Sequence, residues 1–446
     1  MTEKIEADAR PEKRLFVSLI TRDISLADAF LDLLDNSINA AIEPLASRLK
    51  TADDYQRLLA DTKLSAKVKI DLTIGSTKIV VRDTAGGISA DTAKRHVFRF
   101  GRDDDASAHE SDRLSVYGIG LKRALFKCGN KIEIVSDHRD GGFELKENVR
   151  RWAAEKQEQW HFDITPRKPA KNDLGTRITI TELHDDVVRR LDDGLFLPQL
   201  REKIASTYSY FIGRIVEISV NGKDVEKESF EIGENYTSEK FQSGKVSCNI
   251  AAGIASTKGE VFRDRTAGWF VFCNGRTVLY ADKSQLTGWG AGAALPIFQP
   301  KHRPFLGTVF FVSTDTEALP WTTTKGSINE ESAVWQEARR HMVKVGRVIT
   351  GFLDGRYTED SAGIAPSDLQ SVSGTGMSVL TAAVARTRQF KPPKAARPKT
   401  VKIQYDANVA DVHRIQNYLR RSSMSGSDVG RYTFDYFLKN EVGEDK

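Results

Sequence analysis

The stretch FLDLLDNSINAA, residues 30 to 41, sets short acids and amides at helical spacing within an otherwise apolar segment. Asp32, Asp35, Asn36 and Asn39 fall at i, i+3, i+4 and i+7, so on a helix they form one narrow polar strip. A solvated helix face is the alternative interpretation, but such faces usually carry longer side chains, because Asp and Asn compete with the helix backbone for hydrogen bonds. The strip instead favours a site for a hard cation such as Mg²⁺, which takes oxygen ligands and keeps several of its waters.

Three further short motifs follow this segment in chain order. They are DTAGGI (residues 83 to 88), GIGLKRA (118 to 124) and GTRITI (175 to 180). Singly each is weak, since Asp before glycines is typical of a turn, and Gly-x-Gly before a helix is typical of a tight turn as well as of an anion site. The four motifs in this order are far more specific than any one of them.

The elements around these motifs mix strands and helices without strict alternation. Alternating apolar residues predict strands at 67–74 and 77–84, and the polar stretch 99–117, which has no apolar period, predicts a long loop. We therefore expect an α+β domain over residues 1–185.

The rest of the chain divides by composition into three parts. Residues 186–356 combine a hairpin signal at Asn221-Gly222, further apolar strands and a long closing helix, which predicts a second domain. Residues 357–400 are rich in Ser, Gly, Pro and Ala, which predicts a basic flexible linker. Residues 401–446 predict a small strand-helix-helix element.

Composition excludes several classes of protein. The 446 residues are 40% hydrophobic and 28% charged, with a net charge of +5 that predicts nothing about nucleic acid by itself. Cys128, Cys248 and Cys273 lack C-x-x-C spacing, which argues against a disulfide framework and a structural zinc site. No apolar run approaches the roughly 18 residues of a membrane helix, and the start has no apolar signal segment. The sequence favours a cytoplasmic protein with no membrane segment.

Together the four motifs resemble the GHKL ATPases, the superfamily of gyrase B, MutL, MORC proteins and the large heat-shock chaperones, with a particular likeness to bacterial stand-alone MORC-like proteins. The resemblance covers about residues 20–350. It implies a Bergerat-type ATP-binding α/β sandwich, then a transducer-like α/β domain similar to ribosomal protein S5, with a small C-terminal βαα element beyond it. It also implies that ATP and Mg²⁺ are bound and that residues 99–117 form the ATP lid.

On the first helix the resemblance implies the positions of a catalytic pair. Asp32 stands where the family usually has its Glu general base, and Asn36 matches the Asn that coordinates Mg²⁺. Asp35 and Asn39 look like partners that support this pair. Because Asp is one methylene shorter than Glu, ATP binding is better supported than hydrolysis, and slow turnover is expected.

The glycine motifs match the family's nucleotide contacts. Asp83 matches the acid that accepts a hydrogen bond from the adenine amine, and Gly87 the glycine that lets backbone approach the base. Ala85 stands where the family usually has a first glycine, which weakens the motif slightly because Ala resists positive φ. Gly118 and Gly120 match the phosphate-binding turn, where backbone N–H groups and the helix dipole stabilise negative charge.

Three other residues carry both a functional and a structural interpretation. Lys122 is a candidate phosphate contact or a solvated helix lysine. Thr176 matches a threonine that reaches adenine through water, or is a structural strand residue. Lys325, in LPWTTTKGSIN, matches the lysine that a transducer domain sends to the γ-phosphate, and is the second candidate catalytic residue. Arg276 lies in GWFVFCNGRTVLYADK, a stretch that also resembles the bacterial stand-alone MORC-like proteins, and the sequence assigns it no function.

Basic residues concentrate after the second domain. Seven of them and no acid fall within residues 386–402: Arg386, Arg388, Lys391, Lys394, Arg397, Lys399 and Lys402. A soluble linker and an electrostatic contact to nucleic acid both fit this pattern. The C-terminal element is too small to bury a core of its own, so we expect it to dimerise or dock.

The sequence thus predicts a homodimeric clamp that closes on Mg-ATP and reopens on hydrolysis, with DNA as the favoured clamped partner. A chaperone-like ATPase that remodels protein partners is one alternative. A nucleotide-dependent scaffold without turnover is another.

Overall fold

The structure is a computed structural model, and it divides the chain into two compact units, Met1–Ala395 and Ala396–Lys446. The residues it describes are 12–48, 51–61, 64–100, 114, 118–155, 160–229, 231–256, 262–290, 292, 294–361, 369, 376–385, 387–392 and 403–442. Helices and sheets are mixed throughout the first unit, which is consistent with a GHKL ATPase fold.

The α-helices of the described residues are α1 (Lys13–Arg22), α2 (Leu26–Ile42), α3 (Ala52–Ala60), α4 (Ala90–Thr92), α5 (Gly120–Cys128), α6 (Val149–Ala154), α7 (Asp185–Leu191), α8 (Phe196–Thr207), α9 (Ala333–Ser361), α10 (Val379–Val384), α11 (Val409–Tyr418) and α12 (Gly426–Phe437). The strands are β1 (Val68–Ile74), β2 (Lys78–Asp83), β3 (Gly129–Asp137), β4 (Phe143–Asn148), β5 (Ile164–Pro166), β6 (Gly175–Leu183), β7 (Val216–Val220), β8 (Lys223–Asp224), β9 (Glu231–Ser243), β10 (Val246–Ala255), β11 (Gly268–Cys273), β12 (Arg276–Asp282), β13 (Phe305–Val312) and β14 (Met377–Ser378). None of the helices in the described part of the chain combines the length and apolar character needed to cross a membrane.

The first sheet and two helices packed on it, α2 and α5, carry the four sequence motifs. The sheet order is β5-β4-β3-β6-β2-β1-β7-β8, and all neighbours run antiparallel except β1 and β7. On β1 the alternating Ile70, Leu72 and Ile74 are buried, because successive side chains of a strand point to opposite faces. Helices α2 and α5 pack against each other and against strands of this sheet. The polar strip of α2 and the glycine turn before α5 are thereby brought side by side.

The domain boundary predicted at residue 185 does not fit this sheet. Strands β7 and β8, residues 216 to 224, complete its edge, with Val68 of β1 opposite Val216 of β7. The sheet therefore extends to Asp224. Sequence patterns missed this because β7 pairs with a strand far away in the chain.

The second sheet has the order β12-β11-β13-β10-β9-β14 and is covered by α9 and α10. Asn274 (φ +48°) and Gly275 (φ +84°) form the tight turn between β11 and β12, the dipeptide that a two-residue hairpin favours. In the core, the rings of Phe272 and Phe310 stack with centroids 4.4 Å apart. This sheet is where the sequence predicts the transducer-like domain.

The expectation of a flexible linker over residues 357–400 is wrong for much of its described part. Helix α9 runs on to Ser361, β14 pairs with β9, and Val379 of α10 is fully buried. Further on, the Arg388 N–H donates to Ser238 Oγ at 3.0 Å. Small side chains in this segment allow it to pack closely against the second sheet, so composition alone led to the wrong prediction of a flexible linker.

The second unit contains α11 and α12. The sequence predicts a strand over TVKIQYD, residues 400–406; its described part, 403–406, has no regular secondary structure, and residues 400–402 lie outside the described residues. Large side chains are exposed on both helices, with Tyr418 at 88% and Phe437 at 58%. This unit by itself therefore leaves apolar surface in water.

Candidate functional site

The α2 helix forms as predicted and carries the polar strip into the interior. Its N-cap is Ser25, whose Oγ accepts a hydrogen bond from the Asp28 N–H at 3.1 Å. Asp32 and Asp35 are 2% and 1% exposed, and Asn36 is half-buried. Buried carboxylates require partners, because an unpaired charge away from water is strongly unfavourable. The partners of the two aspartates define the site.

Asp32 is paired with Arg123 of α5. The Arg123 Nε and Nη2 donate to the same carboxylate oxygen, Oδ2, at 2.9 and 2.6 Å. Gly120 lies directly against this carboxyl, since a Cβ there would be 3.4 Å from the Asp32 Cγ. Burial raises the pKa of Asp32, although Lys325 and Arg123 favour its charged form. Sequence reasoning did not single out Arg123, which stands in the glycine motif beside the lysine that drew attention.

Asn36 presents one oxygen to the site. Its Nδ2 donates to the Asp32 backbone carbonyl at 2.7 Å, which leaves the amide Oδ1 available. In the described parts of the chain, no group of three or more His, Cys, Asp or Glu side chains is placed to hold a metal. One protein oxygen is enough for a Mg²⁺ ion whose other ligands are nucleotide phosphates and water. It is too few for a metal that is bound by protein groups alone.

Asp35 joins the first sheet's helix to the second sheet. Lys325 Nζ donates to Asp35 Oδ2 at 2.6 Å, and Arg276 Nε donates to Oδ1 at 3.1 Å. Tyr208 Oη lies 2.7 Å from Oδ1 and 2.8 Å from the Leu31 carbonyl oxygen, either of which can accept its one proton. Burial alone would raise the pKa of Asp35, but Arg276 and Lys325 outweigh it and the pKa is lowered. Asp35 is thus a charged anchor for groups from the second sheet.

Lys325 has an unusual backbone conformation. Its φ is +53°, in the left-handed region that a residue with a Cβ seldom adopts. The Lys325 N–H donates to the Thr322 carbonyl at 2.9 Å, and its own carbonyl accepts from Arg276 Nη1 at 2.7 Å. Backbone strain of this kind persists only where the surroundings enforce it, and it concentrates at functional sites.

A cavity of about 320 Å³ lies where these groups converge. It is lined by Leu19, Ile20, Asp23, Ile24, Asp32, Asn36, Gly118, Ile119, Gly120, Arg123, Thr323, Thr324 and Lys325. Gly118 adopts φ +62°, so the turn before α5 has the left-handed step that glycine allows. The fold therefore assembles the polar strip, the glycine turn and Lys325, from the segment between β13 and α9, around one space.

Asp83 lies at the end of β2, outside the lining of that cavity. Its Oδ1 accepts from the N–H groups of Ala85 (3.0 Å) and Thr176 (3.3 Å), and its Oδ2 accepts from Ser37 Oγ at 3.0 Å. Since a carboxylate has about four acceptor positions, one remains on Oδ2. Burial raises the pKa of Asp83. Ser37 was missed from the sequence, although its place next to Asn36 on α2 turns it toward β2.

The glycines after Asp83 form the turn without its usual first glycine. Gly86 and Gly87 have φ of +97° and +73°, whereas Ala85 is not among the described residues with positive φ. A Cβ on Gly87 would lie 2.1 Å from the Asp137 carbonyl oxygen. Ala85 is therefore unstrained, and the backbone of β3 already requires glycine at 87.

The hydroxyl of Thr176 contacts another side chain of the first sheet. Its Oγ1 lies 3.1 Å from Ser136 Oγ, which also accepts the Ile88 N–H at 2.6 Å. The Thr176 side chain therefore ties β6 to β3 and to the glycine turn. Its N–H, rather than its hydroxyl, is the group that contacts Asp83.

Lys122 does not line the cavity, which corrects the expectation of a phosphate contact or a solvated side chain. It is 2% exposed, and its Nζ donates to the carbonyls of Val97 (2.9 Å) and Arg99 (2.7 Å). The ammonium also lies 5.4 Å from the centroid of the Phe100 ring. Burial lowers the pKa of Lys122 to about 8. Its observed role is to hold the backbone just before the predicted lid.

Most of the predicted lid, residues 101–113 and 115–117, lies outside the described residues. Leu114 is described, and it is fully buried with its N–H donating to Asn39 Oδ1 at 2.9 Å. Asn39, expected to support the catalytic pair, thus also binds the segment predicted to form the lid.

Comparison with known families agrees with this geometry. Residues 24–182 match the family described as histidine kinase-, DNA gyrase B-, and HSP90-like ATPase. The match supports the GHKL superfamily. It spans α2, the Asp83 turn, the glycine turn and β6, so all four motifs lie within it. A search of curated proteins found no match to the chain. A GHKL domain indicates ATP binding in general terms, while the second sheet and the C-terminal helices lie outside the matched residues.

Proposed function

We propose that this protein is a slowly hydrolysing, Mg²⁺-dependent ATPase that works as an ATP-gated homodimeric clamp on DNA in the cytoplasm. The observation that carries the proposal is the cavity lined by Asp32, Asn36, the glycine turn and Lys325, of which all but Lys325 lie on the segment that matches the GHKL ATPases. The likeness to MORC proteins belongs to the same proposal.

Each end of the nucleotide has a matching group. The free acceptor position on Asp83 Oδ2 would take the adenine amine, and the N–H groups after Gly118 would take phosphate oxygens. Asn36 Oδ1 would hold Mg²⁺, which neutralises charge on the phosphate oxygens during transfer. Asp32 would orient the attacking water and accept its proton.

Lys325 extends the site to the second sheet. In the proposed cycle its ammonium leaves Asp35 for the γ-phosphate, and the backbone link from Lys325 to Arg276 carries that shift into β12. The strained φ of Lys325 supports this role, because strain at a switch residue is maintained by its surroundings.

An ATPase assay with and without duplex DNA tests the enzyme and its partner together. Wild-type protein should release phosphate slowly and faster with DNA, while Asp32→Asn should bind ATP and release none, because an amide is a poor base of similar shape. Wild-type turnover in Asp32→Asn would remove Asp32 as general base. Binding without turnover in the wild type would favour the nucleotide-dependent scaffold.

The DNA contact is proposed for residues 386–402. Of its basic residues, the structure describes Arg388 and Lys391, and Arg388 is engaged, with its Nη1 donating to the Glu234 carbonyl at 3.1 Å. Residues 386 and 393–402 lie outside the described residues. The proposed contact comprises the exposed Lys391 and the basic residues from Lys394 to Lys402.

Salt dependence of DNA binding tests this contact. Wild-type affinity, measured by fluorescence anisotropy from about 50 mM salt upward, should fall with a log-log slope of about −0.9 per phosphate neutralised. Replacing Lys394, Arg397, Lys399 and Lys402 with Gln should flatten the slope by about three to four units, because each removes one phosphate contact. Basal ATPase should stay unchanged.

The absence of salt-dependent binding would favour a clamp on protein partners. Exposed aromatic side chains on α11 and α12, including Tyr418 and Phe437, support that second candidate. Large apolar side chains in water are typical of surfaces that meet other proteins.

A further inference from the structure

Arg123 is a buried cation that lines the proposed phosphate cavity. It lies in the first turn of α5, three residues after Gly120, and is 8% exposed. Within the described residues its guanidinium has one hydrogen-bond acceptor, the Asp32 Oδ2, which takes both Nε and Nη2. A guanidinium carries five N–H donors, so most of its capacity is unused in this pair.

The buried charges of this cluster do not cancel, and the other acid that lines the cavity, Asp23, is exposed to water. The cluster holds two carboxylates, Asp32 and Asp35, and three cations, Arg123, Arg276 and Lys325. Arg276 and Lys325 share the two oxygens of Asp35, while Arg123 stands on one oxygen of Asp32. In a buried cluster, where charges are weakly screened, an excess of positive charge favours an incoming anion.

We propose that Arg123 exchanges the Asp32 carboxylate for the terminal phosphate of ATP, so that the Asp32–Arg123 pair is a lock on the general base that opens with ATP and re-forms with ADP. The exchange rests on the proposed function of the cavity. The planar guanidinium matches phosphate oxygens as well as it matches a carboxylate, so its hydrogen bonds are transferred rather than lost. Once released, the Asp32 carboxylate is free to accept a hydrogen bond from water.

The exchange makes Asp32 a competitor of the phosphate for Arg123, which a double-mutant cycle measures. The four proteins are wild type, Asp32→Asn, Arg123→Gln and the double variant, each titrated with Mg-ADP and with the non-hydrolysable β,γ-imido analogue of ATP. Lys127→Gln, on the same helix but away from the cavity lining, is the matched control.

We expect Asp32→Asn to tighten binding of the analogue about tenfold and Arg123→Gln to weaken it about tenfold, the order expected for hydrogen bonds to charged groups. ADP affinity should change little in either variant. In the Arg123→Gln background, Asp32→Asn should bring no tightening. Arg123→Lys should retain part of the preference for the analogue, because it keeps the charge and loses the planar fork.

Two results would overturn the exchange. One is equal tightening by Asp32→Asn with and without Arg123, which would mean that only general repulsion was relieved. The other is an equal loss of ADP and analogue affinity in Arg123→Gln. If Arg123→Gln does not fold with its buried carboxylate unpaired, Asp32→Asn compared with the double variant still measures the contact, because neither holds that unpaired carboxylate.

Failure of the exchange and failure of the proposed function give different results. If wild type and Lys127→Gln bind neither ADP nor the analogue, the cavity is no nucleotide site. If both bind both ligands and the cycle is additive, ATP binding stands and the Arg123 exchange is wrong.

Discussion

At the scale of single residues, the carboxylate of Asp83 is held by three hydrogen bonds. Ser37, Ala85 and Thr176 occupy three of its acceptor positions, so the carboxylate is fixed in orientation before any ligand arrives. One acceptor position remains on Oδ2, which suits a single hydrogen-bond donor such as an adenine amine.

Asp83→Ala should therefore abolish ATP binding. The lost hydrogen bond to a charged acceptor corresponds to about 1.5 to 3 kcal/mol, and the Ala85 and Thr176 N–H groups also lose their acceptor. Titration with a fluorescent ATP analogue, beside a thermal melt to establish folding, measures the effect. Asp71→Ala on neighbouring β1, where the side chain is exposed, is the control and should bind normally. Normal ATP affinity in folded Asp83→Ala would contradict the adenine contact.

The polar strip of α2 was predictable because residue type and helical spacing are both local in the sequence. The partners of that strip were not. Arg123 reaches Asp32 from a different helix, and Arg276 reaches Asp35 across 241 residues, so no spacing rule connects them. The sequence placed Lys325 by motif order, but its pairing with Asp35 depends on how the two sheets pack.

At the scale of elements, α5 follows the glycine turn and also supports the backbone at the start of the predicted lid. Lys122, on its inner face, binds the carbonyls of Val97 and Arg99 while buried from water. The unfolded chain exposes this lysine, so folding changes its affinity for a proton.

Stability should record this change at alkaline pH. Burial lowers the pKa of Lys122 from 10.5 to about 8, so between these values the unfolded state binds more protons than the folded state. The free energy of unfolding contributed by Lys122 should therefore rise from about pH 8 to 10.5, by up to about 3 kcal/mol. Urea denaturation of wild type and Lys122→Met at both pH values measures the difference.

Lys127→Met, on the same helix, serves as the control and should keep a constant difference from wild type. A constant difference for Lys122→Met as well would mean that Lys122 stays fully hydrated or charged in the folded protein. The comparison uses the pH dependence and not the absolute stability, since the substitution also removes two hydrogen bonds.

Element type was predictable where the pattern was long. The sequence indicated α2, β1 and β2 within a few residues, and it indicated α9 as a long helix, although α9 continues to Ser361, inside the predicted linker. It gave no indication of β14, two residues that add an edge to the second sheet, because their pairing with β9 comes from tertiary contact alone. It also predicted a strand at 400–406, whose described part, 403–406, pairs with no strand among the described residues.

At the scale of the whole molecule, the end of the first unit lies near Ala395 and not at the predicted boundary of 356. Val379 and Ala382 of α10 are fully buried, and Phe390 is 7% exposed. These residues belong to the core that the predicted linker would have left out.

Two truncated chains should separate these boundaries. Residues 1–395 should keep the nucleotide affinity and unfolding free energy of the full chain. Residues 1–356 should lose several kcal/mol, at about 1.5 to 3 kcal/mol for each large apolar side chain no longer buried. Denaturant titration measures the unfolding free energy of both chains, and nucleotide titration measures their affinity. Equal stability of the two chains would support the predicted linker over residues 357–400. Light scattering of 1–395 beside the full chain tests whether residues 396–446 are the dimerisation element.

The parallel pairing of β1 with β7 bears on how the protein folds during synthesis. Asp71 and Ser219 face each other in that register although they are 148 residues apart. As the chain leaves the ribosome, β1 is synthesised early, and one of its edges stays unpaired until β7 is synthesised. Helix α2 and the glycine turn before α5 have been synthesised by then. Contacts of such long range are formed slowly, and an unpaired edge is prone to aggregate. The growing chain therefore passes through a stage at which the proposed nucleotide contacts other than Lys325 have been made but its first sheet is open.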